Sequence, residues 1–160
     1  FRIREKDNAG KTALMHEQTQ RGRIALAYTA VSWSCRSQID LAVSSYLKRS
    51  SGYMLTETGT WSPAAWLSLT ATAGYFHTSD FASRIYVYER GPLYAFSFPS
   101  FYGRGMRCGL FARADLFCRL MFILRCSATR YFDRSTISSG LQQIHSSMMS
   151  DLDIQLRWKF

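Results

Sequence analysis

The chain has 160 residues, with three Pro and ten Gly beside four Trp, nine Tyr and eleven Phe, and a net charge of +9. That length suffices for one ordinary domain with a sizeable core, and the richness in aromatic residues, Ser, Thr and Arg favours strands over helices. The longest apolar run, around Leu116 to Leu124, is broken by Arg119 and falls short of the ~20 apolar residues a membrane helix requires, which excludes a helical membrane protein.

Taken in chain order, alternation of apolar and polar residues predicts strands at 1–6, 20–31, 35–48, 52–61, 65–76, 83–89, 92–98, 104–114, 119–131 and 151–160. The opening at Phe1, without Met or a signal sequence, creates the expectation that something precedes it. Polar connections are expected at 7–19, 77–82 and 132–150, with modest ones after Lys48 and Phe98. Short turns are expected at Ser32–Ser34, Ser62–Ala64, Arg90–Pro92 and Asp115–Cys118. Long and short connections take turns, the rhythm of an up-and-down outer-membrane barrel with short periplasmic turns and longer external loops. The expectation is therefore an all-β, antiparallel up-and-down transmembrane β-barrel, a single region over 1–160 that forms the C-terminal part of a larger barrel.

The faces of the strands point the same way. In 35–48, Ile39, Leu41, Val43 and Leu47 oppose Arg36, Gln38, Asp40 and Ser44. In 104–114, Met106, Cys108, Leu110 and Ala112 oppose Arg107 and Arg113. In 119–131, Leu120, Phe122, Leu124 and Cys126 oppose Arg119 and Arg125, although Met121 and Ile123 share the Arg face. Full charges at mid-strand suit a polar lumen and not hydrocarbon. The expected lumen charges are Arg23, Arg36, Asp40, Arg107, Arg113, Arg119, Arg125, Asp151, Asp153, Arg157 and Lys159. Glu57 is a further candidate, whose shared parity with Trp61 suggests a bulge. Trp33, Trp61, Trp66, Trp158 and Phe160 fall beside the short turns. Tyr53, Tyr75, Phe76, Phe101, Tyr102, Tyr131 and Phe132 fall beside the longer loops, so two aromatic girdles are expected.

The chain ends DLDIQLRWKF, in which Ile154, Leu156, Trp158 and Phe160 alternate with charged or amide residues. This ending resembles the C-terminal signal that the barrel-assembly machinery recognises in bacterial outer-membrane barrels, with Trp158 where many carry Tyr. The runs SRIYVYERGPLYAFSFPSFYGRG (Ser83 to Gly105) and RYFDRSTISSGLQQI (Arg130 to Ile144), with QLRWKF, resemble the barrel region of Bacteroidota outer-membrane proteins that carry an N-terminal helix-hairpin-helix region. The resemblance covers roughly the last half of the chain and shows no helix-hairpin-helix segment here. It implies a Gram-negative outer-membrane location, contact with outer-membrane lipid and lipopolysaccharide and with the assembly machinery, and other outer-membrane subunits as partners. It implies no activity.

Reaction chemistry is not expected. Gly10-Lys11-Thr12 lacks the earlier Gly of a phosphate-binding loop, since Glu5 stands there. His16, His77 and His145 fall in expected loops with no Cys or carboxylate at metal-ligand spacing. Cys35, Cys108, Cys118 and Cys126 form no CxxC. Cys108 and Cys126 are expected nearly opposite each other on the lipid-facing side, more as small apolar residues than as a disulfide. An outer-membrane phospholipase would need Ser79, Ser146 or Ser147 beside His77 or His145 in a triad geometry that sequence proximity does not supply. Cationic charge is spread one Arg at a time and not gathered in a patch, so no nucleic acid is expected. The reading is a non-enzymatic barrel without cofactor or metal, serving as a membrane-embedded scaffold or subunit. An anion-preferring, porin-like channel and a soluble β-sandwich binding module are the alternatives.

Overall fold

The computed structural model describes residues 2–8, 11–45, 48–95, 97–117, 119–138 and 143–159, with side chains from Gln18 onward. Phe160, Leu47 and Cys118 lie outside the described residues. The strands are β1 (Arg2–Asn8), β2 (Lys11–Thr29), β3 (Trp33–Ser45), β4 (Arg49–Ala64), β5 (Leu67–Thr78), β6 (Ile85–Tyr86), β7 (Ser100–Phe101), β8 (Arg104–Leu116), β9 (Leu120–Tyr131) and β10 (Met148–Trp158). Eight of them form one antiparallel up-and-down sheet in the order β1-β2-β3-β4-β5-β8-β9-β10, while β6 and β7 pair separately. β1 and β10 are its edges, and among the described residues no ladder joins them.

The period-two pattern is the cause of this architecture, because successive side chains of a strand point to opposite faces. Register turns the pattern into two chemically distinct surfaces. Ile24, Ile39, Leu55, Tyr75 and Met106 are successive cross-strand partners on one face. Gln38, Thr56, Gly74, Arg107 and Thr129 form the equivalent row on the other. The face carrying the charges is concave. Ala27 and Thr29 of β2 share the lining of one cavity of about 340 Å³ with Arg125 and Ser127 of β9, strands far apart in a flat sheet at about 4.8 Å per step.

At one end of the sheet the connections are 30–32, 65–66 and 117–119. At the other they are 9–10, 46–48, 79–103 and 132–147. Both long connections thus leave from the same end, but so do two short ones. The expected loop at 7–19 is mostly strand, with His16 of β2 opposite Glu5 of β1. Ladder pairing satisfies backbone donors and acceptors whatever the side-chain polarity, so a polar run stays extended. His77 is likewise in β5, opposite Tyr53.

The larger correction concerns 83–89 and 92–98, expected as two strands joined at Arg90–Pro92. Neither enters the sheet. Ile85–Tyr86 pairs with Ser100–Phe101, Glu89 bridges to Ser97, and the stretch meets the concave face through Tyr86, Glu89, Arg90 and Leu93. Seven residues are too few for a spanning strand of about 9 to 11. Pro92 and Pro99 also remove backbone donors that a ladder needs. The alternation is real, but it reports which side of an extended segment meets the sheet: Ile85 and Val87 are buried, Tyr86 and Tyr88 exposed.

The apolar core lies inside the curl, towards the end from which the long loops leave. Ala42, Met54, Phe76 and Tyr131 from the strands pack with Ile85, Val87, Phe101 and Ile137 from the two long loops. Phe76 is fully buried, with its ring 5.1 Å from that of Phe101 and 5.6 Å from that of Tyr131. Close packing against backbone requires Gly at positions 105 and 52, while at Gly74 an added Cβ would meet only the flexible end of Met54. A Cβ on Gly105 would collide with the Arg130 carbonyl and lie 2.7 Å from Phe76. One on Gly74 would lie 2.8 Å from Met54, and one on Gly52 would strike Thr78 and the Ser83 carbonyl.

Candidate functional site: the charged concave face

The inserted segment 79–103 is pinned to the wall by charge. Arg107 of β8 uses all five N–H donors of its guanidinium. Two go to the Glu89 carboxylate at 2.9 and 2.8 Å, and the others to Thr129 at 2.8 Å, Ser127 at 2.8 Å and Asp151 at 3.4 Å. Arg125 of β9 donates to the same carboxylate at 2.7 Å and to Asp153 at 3.1 Å. The Arg107 side chain is 4% exposed and that of Glu89 14%. Buried charges of this kind persist only when paired and hydrogen-bonded. On either side of Glu89, Arg23, itself paired with Asp40, donates to the Tyr86 carbonyl, and Gln155 bonds both backbone groups of Leu93.

Of the expected lumen charges, Arg23, Asp40, Arg107, Arg125, Asp151 and Asp153 are thus brought together around this segment. Arg36 lines the cavity. Arg113 pairs with Asp115 beside the 117–119 turn, and Arg157 stacks over Tyr94. Arg119 and Lys159 lie beyond the strands, where the Lys159 backbone N–H bonds the Arg119 carbonyl. Glu57 faces outward, accepting from Ser37 at 2.8 Å, and β4 has no bulge there, its register slipping only between Trp61 and Ala64. Glu89, the carboxylate at the centre of the network, was missed by the sequence reading. The one available signal was the excess of inward Arg and Lys over inward Asp, which calls for another acid.

A second part of the wall is made of hydroxyls. Thr58 of β4 faces Thr72 of β5, and Thr60 faces Thr70 with their oxygens 3.1 Å apart. Arg90 of the inserted segment donates to Thr70 at 3.3 Å. The buried Thr56 hydroxyl has no hydrogen-bond partner among the described residues.

The outer face is the chemical opposite. Leu152, Ile154 and Leu156 are 64%, 64% and 66% exposed, and Ile24 and Leu26 still more. Trp33 lies opposite Trp61, Trp158 lies opposite Leu120, and Trp66 sits in the 65–66 turn, all at the end with only short connections. Tyr53 and Tyr75 are 6.3 Å apart nearer the other end. Phe76, Phe101 and Tyr131, grouped above with the outer aromatics, are interior core residues. Tyr102 packs edge-on to Phe81 and against Arg134. Cys108 pairs with Ala128 and Cys126 with Leu110, so the two cysteines are diagonal neighbours on the outer face, nearly opposite as expected; both are exposed and free.

The two long loops are tied by Arg134, whose guanidinium lies 4.2 Å from the Tyr102 ring and 4.6 Å from that of Tyr131. Arg134 hydrogen-bonds Asp133 and holds its carboxyl below the usual carboxylate range. Among the described residues no group of His, Cys, Asp and Glu is placed to hold a metal. No family model, no curated protein and no solved structure matches this chain.

Proposed function

We propose that this chain is an outer-membrane β-barrel region of a Gram-negative bacterium, non-enzymatic, whose closed and charge-paired interior serves a membrane-embedded scaffold or a subunit of a larger complex. One observation carries the reading: an apolar outer wall surrounds an interior that holds buried, paired charge as well as its apolar core. Arg107 is buried within the curl while Leu152, Ile154 and Leu156 face out. A water-soluble sandwich hides its apolar face against a second sheet, whereas a bilayer accepts an apolar outer wall around a polar interior. The Trp residues at one end of that outer wall suit a membrane–water interface.

A second reading, an anion-preferring pore, is favoured by the cavity beside Arg36 and Arg90. The segment 79–103 occupies the interior in either case, and barrels plugged by their own loops are one way such interiors are filled. The test of membrane residence is Trp fluorescence of the protein reconstituted into vesicles containing brominated phospholipid. Strong quenching of Trp33, Trp61, Trp66 and Trp158 is expected. A monodisperse protein in detergent-free buffer, unquenched by such vesicles, would overturn the proposal.

A further inference from the structure

We propose that the cavity between the inner wall of β3–β5 and the inserted segment is a binding site for a small anionic, hydroxyl-rich solute of the sugar phosphate or sugar acid class. Its volume of about 340 Å³ lies at the small end of ligand sites. Its charge is unbalanced. Glu89 is already engaged by Arg107 and Arg125, and Arg125 also by Asp153. Arg36 and Arg90 line the same cavity from opposite sides, and among the described residues neither has a carboxylate partner. Two uncompensated guanidiniums favour an oxyanion, which each can bind through paired N–H groups.

The rest of the wall selects for hydroxyls. Thr58, Thr60, Thr70 and Thr72 present side chains that both donate and accept. Thr56, 6% exposed, brings to the same wall a hydroxyl with no partner among the described residues. A buried hydroxyl left unpaired is costly, and a ligand oxygen or amine supplies what it lacks. The inference is independent of whether the outer face meets lipid, since it concerns only the interior.

Isothermal titration calorimetry on the full chain in nonionic detergent at low salt tests it, with inorganic phosphate, glucose 6-phosphate, glucuronate and neutral glucose as probes. Saturable binding of glucose 6-phosphate or glucuronate is expected, tighter than phosphate and absent for glucose; whichever of the two binds more tightly distinguishes phosphate from carboxylate. The double variant Arg36→Gln/Arg90→Gln should weaken binding by at least about tenfold, the loss expected for charged hydrogen bonds. Thr56→Val should weaken it by a smaller factor, and Arg113→Gln, outside the cavity, should leave it unchanged. Far-UV circular dichroism of each variant establishes that the sheet is retained. Silence with all three anions overturns the proposal, as does binding that survives the double variant or that Thr56→Val leaves untouched.

Discussion

Glu89 joins residues far apart in the chain, accepting from Arg107 and Arg125 on adjacent strands. Glu89→Ala leaves two largely buried guanidiniums short of their shared acceptor, and breaking a buried pair from one side costs about 3–5 kcal/mol. A clearly lower urea midpoint in detergent is expected, together with faster trypsin cleavage after Arg90. An unchanged midpoint and an unchanged cleavage pattern would mean that the segment is held by packing alone. Gly105→Ala should destabilise more than Gly59→Ala, because the added methyl meets the Arg130 carbonyl in the first case and nothing within 4 Å in the second. Equal unfolding midpoints for these two variants would contradict the packing described. For the Asp133–Arg134 pair the folded carboxyl titrates below its unfolded value. Its contribution is therefore complete above about pH 4 and is lost as pH falls below that. Asp133→Asn should flatten the acid limb of a melting-temperature profile, and an identical limb in both proteins would remove the pair from the account.

The segment 79–103 is the element whose placement decides what the interior does. It contributes Ile85, Val87 and Phe101 to the core and Glu89 to the charge network. Replacing residues 84–98 by a Gly/Ser linker should lower the melting temperature while preserving the strand signal. In planar bilayers the intact protein should stay silent and the linker version should conduct with anion preference, reduced by Arg107→Glu. A steady conductance from the intact protein would defeat the closed-interior reading and leave the pore. This element was also the least legible in the sequence. Ile85, Val87 and Glu89 alternate with Tyr86, Tyr88 and Arg90 as a ladder strand would, and an extended chain laid on a surface obeys the same period. Pro92, Pro99 and the shortness of the run were the signals against a ladder.

At the scale of the whole molecule the question is what covers the outer face. Ile154 is 64% exposed, so in water Ile154→Arg would be close to neutral. Near the middle of a bilayer an outward Arg costs about 2–4 kcal/mol. Unfolding in lipid vesicles should therefore show a large loss for Ile154→Arg and a smaller one for the same change at Trp158, nearer the edge. Equal, negligible losses at both positions would argue that no hydrocarbon meets this face.

What the sequence by itself determined is the strand character of the chain and the division of each strand into an apolar and a charged side. Both follow from backbone geometry that acts over neighbouring residues. The parities of Ile39 against Asp40 and of Leu110 against Arg107 were readable for that reason. Only the tertiary structure decided which extended segments share a ladder, that Glu57 faces out while Glu89 completes the inner charge network, and that Phe76 and Tyr131 belong to a core. Each of these depends on which distant segment lies against which. Curling the sheet brings β2, β8 and β9 to one short stretch of chain, and no local pattern in that stretch specifies the three partners it meets.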